Sequence, residues 1–107
     1  MGEPDKAAVF DEHGLLIDPD DWSPELAQQL ADRAGLGALT DRHWRFLKAL
    51  REYYRKFGSP PPPHRICREL HLPRGCGHEL FDTCLCAWRI AGLPDPGEEA
   101  KTYLSAD

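Results

Sequence analysis

The sequence predicts an α+β fold that is mainly α, with a short N-terminal β-hairpin followed by about five helices. Three observations predict it. Two apolar runs at residues 9–17 flank a polar, glycine-containing turn. Apolar residues recur at helical spacing from Trp44 to Phe57. Caps and breakers (Ser23-Pro24, Gly35, Thr40, Gly58, Gly92) fall at the ends of the periodic segments. At 107 residues the chain suits one domain, expected over 1–97, with an acidic tail over 98–107.

Val9-Phe10 and Leu15-Leu16-Ile17 are expected as the two strands, joined through Asp11-Glu12-His13-Gly14, where glycine supplies a positive φ. Pro19 ends the second strand because it has no ladder donor. Ser23 and Pro24 open the first helix as cap and first-turn residue; Leu26, Ala27, Leu30, Ala31 and Ala34 form its stripe, and Gly35 closes it. Thr40 caps the next helix, with Asp41 suited to its positive end. Trp44, Leu47, Leu50, Tyr54 and Phe57, widened by Phe46 and Tyr53, mark it as the central core helix. After Gly58, Ser59-Pro60-Pro61-Pro62-Pro63 must be extended, as a stiff connector or an SH3-type ligand. A short helix is expected over His64–His71, with Ile66, Cys67 and Leu70 inward, and Pro73-Arg74-Gly75 breaks it. A helical turn follows at Gly77–Phe81, then a last helix from Asp82 or Thr83 to Ala91. Gly92–Gly97 ends regular structure, and Tyr103 and Leu104 are the tail's only groups able to dock it.

Composition excludes whole classes. No apolar run approaches the ~20 residues of a membrane span. The polar N-terminus is not a secretory signal, so a cytoplasmic protein with four reduced thiols is expected. The net charge of −5 is segregated: residues 42–74 hold nine basic residues against two acids, or +7, and the remainder is −12. Such a face suits an acidic protein, a nucleic acid or an anionic sulfur species, or is a solvated helix flank.

The candidate chemistry is thiol chemistry. Zinc needs closely spaced cysteines in a tight turn, and Cys84 and Cys86 point about 200° apart on a helix. A set of Cys67, Cys76, His71 and His78 is the remaining zinc arrangement, and no metal is expected. Cys84 lies in the first turn of the last helix, where backbone N–H groups favour a thiolate; Cys76 lies near Arg74 in a glycine-flanked loop read as exposed. Each is weighed against an ordinary structural thiol. No hydrolase constellation or phosphate loop occurs. His43 reads as a satisfied boundary histidine and His13 as a turn residue.

Asp11-Glu12-x-Gly14-Leu15-Leu16-x-Asp18-Pro19-x-Asp21-Trp22 opens a set of motifs. Leu39-Thr40-Asp41-x-His43-Trp44, Leu50-Arg51-Glu52-Tyr53-Tyr54-x-x-x-Gly58-x-x-Pro61, Arg65, and Ala87-x-x-Ile90-Ala91-Gly92-Leu93-Pro94-x-Pro96 follow in order. Together they resemble the DsrC/TusE family of sulfur-relay proteins over most of residues 9–97. The resemblance implies a β-meander or hairpin packed on an orthogonal array of about five helices. It implies a persulfide carried on a cysteine next to the C-terminus, on a flexible arm. TusE-like members pass sulfur toward tRNA 2-thiolation, and DsrC-like members work with dissimilatory sulfite reductase. In DsrC-like members a second cysteine lies on the last helix. Here the arm position, counted from Ile90, is Glu99; the residue next to the last is Ala106, and no cysteine follows Cys86. The helix position is Trp88.

The expected function is therefore sulfur trafficking, docking sulfurtransferase or sulfite-reductase-type partners through Arg51, Arg55, Arg65, Arg68 and Trp88. If sulfur is carried, Cys84 or Cys86 is the site, with Cys76 third, by thiolate attack on a donor persulfide and without a cofactor. As an enzyme it is at most a persulfide-carrying component. The alternative is a non-catalytic regulator binding relay partners, or DNA through its basic segment.

Overall fold

The computed structural model describes residues 9–12, 14–61 and 65–106, without the side chains at 103, 105 and 106. His13, the end of the proline run at Pro62 and Pro63, the expected helix start His64 and the docking side chain of Tyr103 lie outside that description. A 3-10 turn at Pro19–Asp21 precedes six helices: α1 (Pro24–Arg33), α2 (Asp41–Phe57), α3 (Arg65–Glu69), α4 (Cys76–Phe81), α5 (Cys84–Ile90) and α6 (Glu98–Ala106).

The expected β component is corrected: among the described residues there is no strand and no sheet. The two apolar runs meet in a single bridge, Phe10 with Leu16. The Asp11 N–H donates to the Leu15 carbonyl at 2.8 Å and the Ile17 N–H to that of Val9 at 3.0 Å. Leu15 and Leu16 are both fully buried. Only Leu15 joins the main core cluster. Gly14 turns the chain at φ +79°, and Pro19 arrives before a ladder can extend.

The helices follow their caps. Ser23 Oγ accepts the Leu26 N–H at 3.1 Å. Gly58, left-handed at φ +68°, closes α2 and donates to the Tyr54 carbonyl at 2.7 Å. Gln28 on α1 fastens the α1–α2 connector, donating to the Gly37 carbonyl at 2.9 Å and accepting the Leu39 N–H at 3.0 Å.

The centre of the fold is α5 rather than the expected α2. Leu85, Ala87, Trp88 and Ile90 are buried on this one short helix, which packs on α1, α2, α4 and α6. A helix apolar nearly all round belongs in the interior, whereas α2 buries only Phe46, Leu47 and Leu50 and keeps a charged outer face. Regular structure also continues past Gly97. Helix α6 seats Ala100 and Leu104 in the core against α5. Lys101 ties it back to Asp95 at 3.1 Å and pairs within the helix with Glu98 at 3.3 Å.

Candidate functional site

Two regions at opposite ends of α5 hold most of the candidate residues. At its C-terminal end the last carbonyls lack intrahelical partners, and side chains supply the donors. The Trp22 indole N–H donates to the Ile90 carbonyl at 2.8 Å. The Arg51 guanidinium donates to the Ala91 carbonyl at 2.7 Å and to that of Pro19 at 3.1 Å. It also lies 4.4 Å from the centre of the Trp22 ring, a cation–π contact at the negative end of a helix. Gly92 permits this closure. A Cβ there would lie 2.2 Å from Trp22 Cδ1, and its φ is +70°. The Trp88 indole N–H donates to the Pro94 carbonyl at 2.7 Å, and its ring meets Tyr54 edge-on at 5.8 Å. This joint gathers residues from three of the sequence motifs.

Beside the joint lies a groove of about 750 Å³ between α2 and the segment around the 3-10 turn. Trp22, Trp44, Tyr54, Pro19, Pro24 and Leu93 give it an apolar lining. Lys48, Arg51 and Arg55 meet it together with Asp20 and Glu52. Burial pulls the Arg51 pKa down, with Asp20 opposing that shift and Arg55 adding to it. Glu52 pairs with Arg55, whose hydrogen bond and charge lower its pKa.

The remaining expected partner residues are dispersed. Arg65 holds Glu69 at 2.8 Å and lies 5.2 Å from the Tyr53 ring centre. Arg68 is exposed. Trp88, expected on a partner surface, is fully buried because it fills the centre of the helical array.

The thiols sit toward the other end of α5. Cys76 is not an exposed loop thiol. It begins α4, is buried, and is disulfide-bonded to Cys67, with Cα atoms 5.8 Å apart. The turn between α3 and α4 folds the two helices together and brings the cysteines into bonding range, which corrects the expectation of four reduced thiols. The pair cannot then serve as zinc thiolates, and His71 and His78 are exposed. Among the described residues no three His, Cys, Asp or Glu side chains gather as a metal site.

Cys84 and Cys86 carry no disulfide and are half-buried. Cys84 packs on Gly77 of α4; a Cβ at Gly77 would lie 2.7 Å from its Sγ and 3.2 Å from Phe46 Cζ. Thr83 caps α5 by accepting the Cys86 N–H at 3.0 Å. Burial raises the Cys86 pKa, with Arg89 countering and Asp82 adding to the effect. His43 is a boundary residue with both ring nitrogens engaged. Its Nε2 donates to the Leu80 carbonyl at 2.8 Å, and its Nδ1 accepts from the Thr40 N–H at 3.1 Å.

Reading Trp44 as core alone missed the groove. The signal was present, since Trp44, Lys48, Arg51 and Arg55 recur on one face of α2. No sequence pattern marks the contact of Cys84 with Gly77.

The fold and these groups define a class: a small helical scaffold with an aromatic, cation-edged groove and two half-buried thiols outside the disulfide. A family profile described as DsrC like protein matches residues 4–98, and the chain belongs to that family. It is 29% identical over 93 residues to the dissimilatory-type sulfite reductase subunit gamma of Nitratidesulfovibrio vulgaris, covering 85% of this chain and 89% of that relative. It is 32% identical over 100 residues to the sulfurtransferase TusE of Pectobacterium atrosepticum, covering 85% and 91%. Among solved structures, the oxidised gamma subunit of dissimilatory sulfite reductase (DsrC) from Archaeoglobus fulgidus superposes with a TM-score of 0.74 at 32% identity, covering 87% of this chain and 92% of that one. The chain is a DsrC/TusE-like protein of sulfur trafficking. No helix among the described residues is long and apolar enough to cross a membrane.

Proposed function

We propose that this chain is a docking member of sulfur trafficking that binds relay partners without itself carrying the transferred sulfur. Its partners are proteins of the kinds its relatives are named for, sulfurtransferases and dissimilatory-type sulfite reductase. One observation carries the reading. The position at which the family resemblance places the carrier cysteine is Glu99, on a helix anchored to the body through Ala100 and Leu104.

The thiols that remain do not compensate. Transfer from a donor persulfide begins with thiolate attack on the outer sulfur. Cys86 is held toward its neutral thiol by burial. Cys84 is wedged on Gly77 rather than extended on an arm, and Cys76 is already oxidised. Docking needs none of these groups. The exposed Lys48 and Arg55 on α2 steer acidic partners toward the groove they line. The relatives' names lend no support to the DNA-binding alternative.

Incubation with a cysteine desulfurase and cysteine, followed by intact mass before and after reductant, tests the proposal. The mass is expected to stay unchanged. A reducible gain of one sulfur atom that disappears in Cys84→Ser or Cys86→Ser overturns it.

A further inference from the structure

The groove beside α2 has donors that the fold leaves unused. Among the described residues the Trp44 indole N–H, the Tyr54 hydroxyl and the Lys48 ammonium have no hydrogen-bond or ion-pair partner. The other two indoles are committed, Trp22 to the Ile90 carbonyl and Trp88 to that of Pro94. The charges sort in the same way. Glu52 holds Arg55, and Asp20 is the acid that acts on Arg51, so Lys48 is the cation left without a counter-charge. Arg51 is also half-buried, so a further anion nearby would stabilise it.

Trp44, Lys48, Arg51 and Arg55 form one line along α2, so the donors run lengthwise along an aromatic and proline-lined floor. That combination fits a chain in extended conformation, which offers carbonyl acceptors at regular intervals and places alternate side chains on the floor. We propose that the groove receives an extended acidic peptide segment of a partner protein. An apolar or proline side chain rests on Trp22 and Trp44, and an adjacent carboxylate takes the Lys48 ammonium and the Trp44 N–H. This names the chemistry of the partner in the docking role proposed above. A single nucleic-acid strand also stacks on aromatics, but it needs a continuous cationic track, and here Asp20 and Glu52 interrupt the wall.

The three indole N–H signals make the test internal. Capped hexapeptides alternating leucine or proline with glutamate are titrated into the ¹⁵N-labelled full chain, alongside the same peptides with glutamine and an oligouridylate of equal length. The acidic peptides are expected to move the Trp44 indole signal and leave those of Trp22 and Trp88 in place. The glutamine series binds about tenfold more weakly, the loss of one charge-assisted contact. Lys48→Gln, an exposed substitution, removes the difference between the two series, and Trp44→Phe weakens both. The proposal is overturned if no acidic peptide binds at millimolar concentration, if glutamate and glutamine peptides bind alike, or if the oligouridylate binds more tightly. Such a failure leaves the mass result untouched, and a gain of sulfur leaves the peptide result untouched, so the two readings fail separately.

Discussion

The two ends of α5 are built on different principles. Its C-terminal end is a polar lock: an indole and a guanidinium from distant segments satisfy the last carbonyls, and Gly92 lets the Trp22 ring close over the backbone. At its N-terminal end Cys84 is fitted to Gly77 of α4, and α4 is in turn bonded to α3 by the Cys67–Cys76 bridge. The lock uses residues of the family motifs, and the sulfur end does not. The two ends therefore rest on separate sets of residues.

The lock is the more fragile end. Gly92→Ala places a methyl group within 2.2 Å of the Trp22 ring carbon and forces a left-handed L-residue, costing about 3–4 kcal/mol. Urea denaturation is expected to show a markedly lower midpoint with a retained helical baseline. An unchanged midpoint would mean that the ring does not close on the backbone. The sulfur end should give less. Removing the bridge with Cys67→Ala and Cys76→Ala together frees a loop of sequence separation 9, at about 2–3 kcal/mol in the chain-entropy account. Intact mass under non-reducing alkylation checks that the bridge is present in the parent protein.

The smallest effect is protonic. Burial disfavours the Cys86 thiolate in the folded state more than in the unfolded one, so its folded pKa is raised. The fully protonated thiol contributes no pH dependence below the ordinary value of 9.0, and stability falls as pH rises above it through the raised value. Comparing denaturation midpoints between pH ~8 and ~10 in the parent and in Cys86→Ala reads this directly, since the variant loses that share of the slope.

Much of this contrast was legible in the sequence. Ser23, Thr40 and Gly58 sit where caps must sit, because capping is a local matter of one side chain and three or four backbone groups. Trp22, Arg51 and Gly92 stood out as motif residues, although nothing local says that they meet. Their contact spans residues far apart in the chain, and only packing of α2 against α5 creates it. The hairpin failed for a related reason. Apolar content at Leu15 and Leu16 was read as strand propensity, whereas pairing stops at the single bridge of Phe10 with Leu16 and the chain turns at Pro19 before a ladder extends. The disulfide was hidden by an argument about compartment, which says nothing about the distance between two helices. The tail was judged by its acidic composition, while Ala100 and Leu104, four residues apart, already described a helix face.

That last feature has a thermodynamic consequence for assembly. A partner that meets a floppy terminus must freeze it, and the lost chain entropy is subtracted from the affinity. With Leu104 seated and Lys101 tethered to Asp95, that cost has been met during folding. Contact with this flank can then be made as a rigid body, trading the sweep of a swinging lever for a longer residence of whatever lands on it.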